Sequence, residues 1–100
     1  MTIKTVCKLT LKKEEGHSLY TDYEVYPLAS IFAKSDDDAI VSYITKMTSP
    51  HVEVQGCKIM EVKLLYDETL RFYRVEGRNT TFNHDLVQDY LVIDVPFIEN

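Results

Sequence analysis

From Ile3 to Leu11 the chain alternates between two kinds of side chain. Ile3, Thr5, Cys7, Leu9 and Leu11 point one way, and Lys4, Val6, Lys8, Thr10 and Lys12 the other. This period predicts a half-buried strand with a basic outer face. Lys13-Glu14-Glu15-Gly16-His17 interrupts it and reads as a hairpin turn. Ser18 to Tyr26 is the expected partner strand, with Leu19, Thr21, Tyr23 and Val25 on one face and Tyr20, Asp22, Glu24 and Tyr26 on the other. Pro27 lacks a backbone N–H, so it marks an edge, a bulge or the end of pairing. Leu28 to Ala33 is apolar again and predicts an extension of that strand after a kink.

Ser35-Asp36-Asp37-Asp38 has the form of a helix start. Ser35 is the N-cap, Asp38 approximates the acid of a capping box, and the three acids suit the positive end of the helix dipole. Ala39, Ile40, Tyr43, Ile44 and Met47 then form one apolar stripe, and Thr48-Ser49-Pro50 stops the helix. His51 to Gln55 is readable as loop or short strand. Cys57 to Tyr66 and Leu70 to Glu76 predict a second hairpin around Asp67-Glu68-Thr69. In the tail, Asp85-Leu86-Val87-Gln88 predicts a short helix of one or two turns, and the β-branched run toward Val95 a short edge strand stopped by Pro96.

The expectation is an α+β domain over residues 1–100. An antiparallel sheet of four to five strands carries one main helix on one face, in the order β-β-α-β-β-(α)-β. The helix stripe is expected to cover the face of Ile3, Cys7, Leu9 and Leu11. One hundred residues make one small domain, and 45% hydrophobic content with 27% charge is a globular profile. The sequence has no apolar run long enough for a spanning helix and no signal-like start, so a cytoplasmic, non-membrane protein is expected. Two cysteines do not form a disulfide framework, and both thiols are expected to be reduced.

The candidate chemistry is sparse. Cys57 with His51 or His84 lacks any flanking nucleophile signature. His17, His51 and His84 do not have the spacing of a zinc site, and Asp36-Asp37-Asp38 is too compact for a calcium loop. Carboxylate pairs such as Glu61 with Asp67 or Glu68 are expected by chance in an acidic chain. No catalytic residue, metal site or cofactor is therefore assigned, and the chain is expected not to be an enzyme.

Binding remains. Tyr20, Tyr23 and Tyr26 cannot share one strand face, so some of these rings stay exposed, and exposed tyrosine favours protein interfaces. The candidate partner-binding residues are Tyr20, Tyr26, Asp36, Asp37, Glu68 and Tyr73. An alternative is a single-stranded nucleic-acid surface of Lys4, Lys8, Lys12, Arg71, Tyr73 and Arg74. A net charge of −5, from sixteen acids and eleven bases, disfavours that alternative.

Phe32-Ala33-Lys34-Ser35, the helix opened by Ala39, Ser49-Pro50, and the strand into Leu65-Tyr66-Asp67-Glu68-Thr69 together resemble the small non-structural protein of gokushovirus-type single-stranded DNA phages, over residues 28–76. The chain departs from that pattern in lacking the Gly before the Asp turn and the Pro-rich loop, and in its longer tail. The resemblance implies a small phage accessory protein. The resulting expectation is a non-enzymatic binding protein, encoded by a phage or mobile element, that acts on a host protein in the host cytoplasm as an inhibitor or anti-defence factor. A homodimer is left open.

Overall fold

The structure is a computed structural model that describes residues 1–47 and 51–96. Its elements are β1 (Thr2–Lys12), β2 (Asp22–Ala33), α1 (Asp36–Met47), β3 (Val52–Lys63), β4 (Thr69–Asn79) and β5 (His84–Val95). The strands form one antiparallel sheet in the order β2-β1-β5-β4-β3. This is the expected α+β class, with one helix on one side of the sheet.

Helix α1 starts where its sequence says it should. The Asp38 N–H donates to Ser35 Oγ at 3.2 Å, and the Ala39 N–H donates to the Ser35 carbonyl at 3.1 Å. The cap satisfies donors that the first turn cannot pair internally. Ala39, Ile40 and Ile44 are the buried stripe of the helix. They pack with Val6, Ala33, Val75 and Tyr90 of the sheet. Burying a side chain such as Ile40 or Val6 contributes roughly 1.5–3 kcal/mol. The Tyr43 ring meets Tyr90 edge-on, with centroids 6.3 Å apart. The expected stop at Thr48-Ser49-Pro50 lies outside the described residues.

Pro27 stands on the edge strand β2, where no neighbour needs its missing N–H. Beside it the register slips: Val6 faces Ala29, whereas Cys7 faces Pro27, which leaves Leu28 as the extra residue of a bulge. In the β1–β2 loop Gly16 has φ of +87°, a conformation that glycine adopts without strain. The ambiguous His51–Gln55 segment belongs mostly to β3, which starts at Val52.

Two expectations are corrected. The first is the tail. Residues 84–95 are neither a short helix nor a short edge strand but the full-length central strand β5. Its first half pairs with β4 from Asn79↔His84 to Tyr73↔Tyr90, and its second half pairs with β1 from Lys8↔Tyr90 to Ile3↔Val95. Two open hairpin flanks supply ladder partners along the whole segment, and this outweighs the weak local helix signal of Asp85 to Gln88.

The second correction is the side of the sheet on which α1 lies. The helix covers the face of Lys4 and Val6, not that of Ile3, Cys7, Leu9 and Leu11. The basic face is thus the inner one over this stretch. Lys4 tolerates the position, at 7% exposure, because Asp36 at the helix start and Asp94 on β5 both reach its ammonium. On the other side, Cys7, Leu9 and Phe72 are buried without belonging to the cluster under the helix. At the far ends of the two hairpins, Tyr20 and Leu64 form a parallel bridge, and the Leu65 N–H donates to the Tyr20 carbonyl at 3.0 Å.

Candidate interaction surface

The residues expected to bind a partner do not form one patch. Asp36 and Tyr73 are joined to each other: the Tyr73 hydroxyl donates to Asp36 Oδ2 at 2.7 Å, while Asp36 Oδ1 lies 2.9 Å from Lys4 Nζ. Burial, followed by the bond to Asp36, pushes the Tyr73 hydroxyl up to about 12. Burial alone works to raise Asp36, but the bonds from Tyr73 and Lys4 outweigh it and hold the carboxyl below its ordinary value. Asp37 faces Cys57, whose Sγ lies 3.8 Å from Asp37 Oδ1. Burial and then the Asp37 charge push that thiol up to about 11, which keeps it protonated and a poor nucleophile near neutrality. Tyr20 and Glu68 belong to the joined hairpin ends, where the Glu68 carbonyl accepts the Leu64 N–H at 2.6 Å. Tyr26 is open to solvent on β2, at 68% exposure.

The proposed nucleic-acid residues are mostly engaged within the chain. Lys4 holds Asp36 and Asp94, and Lys12 holds Glu24 at 2.5 Å. Arg71 pairs with Glu61 at 3.2 Å. Arg74 makes a two-pronged contact with Asp89 at 2.7 and 3.1 Å while lying over the Phe72 ring. Lys8 is exposed. A phosphate backbone would have to displace carboxylates that already neutralise most of these cations.

The sheet itself shows a feature that strand-by-strand reading misses. Paired residues share a face, so the registers sort the paired side chains of β2, β1 and the second half of β5. The charged ones, Asp22, Glu24, Lys4, Lys8, Lys12 and Asp94, all fall on the helix side. The opposite side reads across the strands as Phe32–Ile3–Val95, then Ser30–Thr5–Ile93, then Pro27–Cys7–Leu91, with Val25 and Leu9 beyond. None of these residues carries a charge. Phe32 is 64% and Ile93 47% exposed, and neighbouring Met1 is 70% exposed. A hollow of about 300 Å³ opens here between Met1, Thr2, Ile3, Phe32 and Val95. A one-faced antiparallel sheet normally turns its charges to water and its apolar side to the helix. This part of the sheet keeps its charges beside the helix and has an uncharged opposite face, on which Phe32, Ser30, Pro27 and Ile93 are exposed while Cys7 and Leu9 are buried.

A second, smaller hollow of about 110 Å³ lies on the helix side. It is lined by Ile44, Val52, Val54, Val75, Gly77, Leu86, Gln88 and Tyr90. Gln88 is its one side chain with hydrogen-bonding groups besides Tyr90, which leaves little to bind or activate a polar substrate. Among the described residues no cluster of three His, Cys, Asp or Glu side chains is arranged to hold a metal ion, and no helix is long and apolar enough to cross a membrane. No protein-family model, curated protein or solved structure matches the chain.

Proposed function

We propose that this chain is a non-enzymatic binding protein that works by docking another protein surface on the uncharged face of β2, β1 and the second half of β5. The observation that carries the reading is the segregation of charge. Every charged side chain of that part of the sheet lies on the helix side, while Phe32, Ile93 and Met1 stand exposed on the other. Exposed apolar side chains grouped on one face are costly in water and are the usual mark of an interaction site. The raised thiol of Cys57 and the internal pairing of Asp36 and Tyr73 support the non-enzymatic part, since these reactive-type groups are tied to each other or to structural partners. The setting implied by the resemblance, a phage accessory protein acting on a host protein in the host cytoplasm, belongs to the same proposal.

The reading is tested with Phe32→Glu, which places a charge on the exposed edge of the face without touching the core under the helix. The variant is expected to keep the wild-type circular dichroism spectrum and to lose binding of an apolar fluorescent dye. A folded variant with undiminished dye binding overturns the choice of face.

A further inference from the structure

We infer that the two hairpins form a clasp. The β1–β2 and β3–β4 tips part from each other about a pivot at Tyr90 and uncover Cys7, while the core under α1 stays folded.

β5 gives each hairpin only half of its length. β1 pairs with it from Ile3 to Lys8 and β4 from Tyr73 to Asn79, and Tyr90 is the one residue of β5 paired on both sides. Past that point Leu9 to Lys12 of β1 and Thr69 to Phe72 of β4 have ladder partners only within their own hairpins. These outer halves are arms that leave the central strand. Their tips nevertheless meet. β2 and β3 are the opposite edges of the sheet, yet Tyr20, just before β2, bridges Leu64, just after β3, and the Leu65 N–H donates to the Tyr20 carbonyl at 3.0 Å. A sheet whose two edges touch at one place is curled.

Burial gives the direction of the curl. Lys8, Tyr90 and Tyr73 share the helix side, so alternation puts Cys7 and Leu9 of one arm, and Phe72 and Leu64 of the other, on the side away from α1. All four are buried, although the helix lies on the other face. Arms curled toward that face cover one another and bury them. The core under α1 is built from different residues, among them Val6, Ile40, Ile44, Val75 and Tyr90. A part of a fold with its own few buried contacts opens separately from the rest and at lower cost than global unfolding. Opening of the arms is therefore the event that brings the Cys7 thiol to solvent.

Alkylation of the native full chain by iodoacetamide, read at Cys7 by peptide mass spectrometry, tests this. The rate relative to the unfolded chain gives the opening constant, and urea unfolding gives the global constant and its slope. Cys7 is expected to react at least ~10-fold faster than global unfolding allows, with a much shallower urea dependence below the unfolding transition. Ile40→Val weakens only the core that both closed and open forms retain. It should raise the unfolding constant about 5-fold and leave the Cys7 rate unchanged. Leu64→Ala weakens the closed arms and should speed Cys7 about 10-fold or more. A Cys7 rate that matches global unfolding with its full urea slope overturns the clasp. So does a rate that rises with the unfolding constant in Ile40→Val, or one that a folded Leu64→Ala leaves unchanged. If Leu64→Ala does not fold, the wild-type urea dependence and Ile40→Val decide the matter.

Discussion

Lys4 Nζ lies 2.9 Å from Asp36 Oδ1 and 2.6 Å from Asp94 Oδ1. One ammonium thus ties the start of α1 to β1 and to the last residues of β5, and the Tyr73 hydroxyl adds β4 to the same junction. Asp36→Ala removes the acceptor shared by Lys4 and Tyr73 and is expected to cost about 2 kcal/mol, the scale of lost charge-assisted hydrogen bonds. Urea unfolding should show a lower midpoint with an unchanged slope. A variant as stable as the wild type would remove this junction from the account of the fold.

The same junction sets a pH dependence. Asp36 is held below its ordinary value, so its contribution is present above the usual carboxylate range and is lost as pH falls through the depressed folded value. Stability is therefore expected to decline below about pH 4, and less steeply in Asp36→Asn. At the alkaline end Tyr73 is raised to about 12. Its contribution is complete below about pH 10 and is lost as pH climbs toward the folded value. Tyr73→Phe should remove that alkaline component. Urea midpoints measured across pH check both limbs.

Cys57 offers a chemical test of its surroundings. With the thiol pushed up to about 11 by burial and by Asp37, alkylation at pH 8 is expected to be more than ~10-fold slower than for an unfolded chain. Asp37→Asn removes the adjacent negative charge and should speed the reaction of the folded protein. Equal rates in both proteins would show that Asp37 does not control the thiol.

β5 is the strand that pairs with both hairpins, and Tyr90 is the residue in register with Lys8 on one side and Tyr73 on the other. A chain ending at Asn83 keeps each hairpin but loses the ladder between them. It is expected to lose cooperative unfolding and most of its near-ultraviolet circular dichroism, because isolated hairpins are marginal in water. A cooperatively folding truncation would contradict the central role of β5.

Much of the architecture was legible in single residues. Ser35 marked the helix start because its hydroxyl has a local task, capping the Asp38 N–H. Pro27 marked an edge and a bulge because a missing donor excludes it from the middle of a ladder. The site was less legible. Asp36 and Tyr73, both expected from the sequence to contact a partner, bond each other across 37 positions of sequence. Lys4, read as part of a basic outer face, lies under the helix because two acids from distant elements reach it.

The alternation from Ile3 to Leu11 determined that two faces exist and which residues share each one, since that follows from the strand period alone. It could not determine which face α1 would cover. That depended on where the loop after Ala33 carried the helix, and on Asp36 meeting Lys4 and Tyr73 there. The place of residues 84–95 was likewise a tertiary decision: a short segment with mixed local preference becomes a strand when two hairpins offer it unpaired backbone on both sides. The uncharged face opposite the helix follows from those two outcomes together, which is why no local pattern announced it.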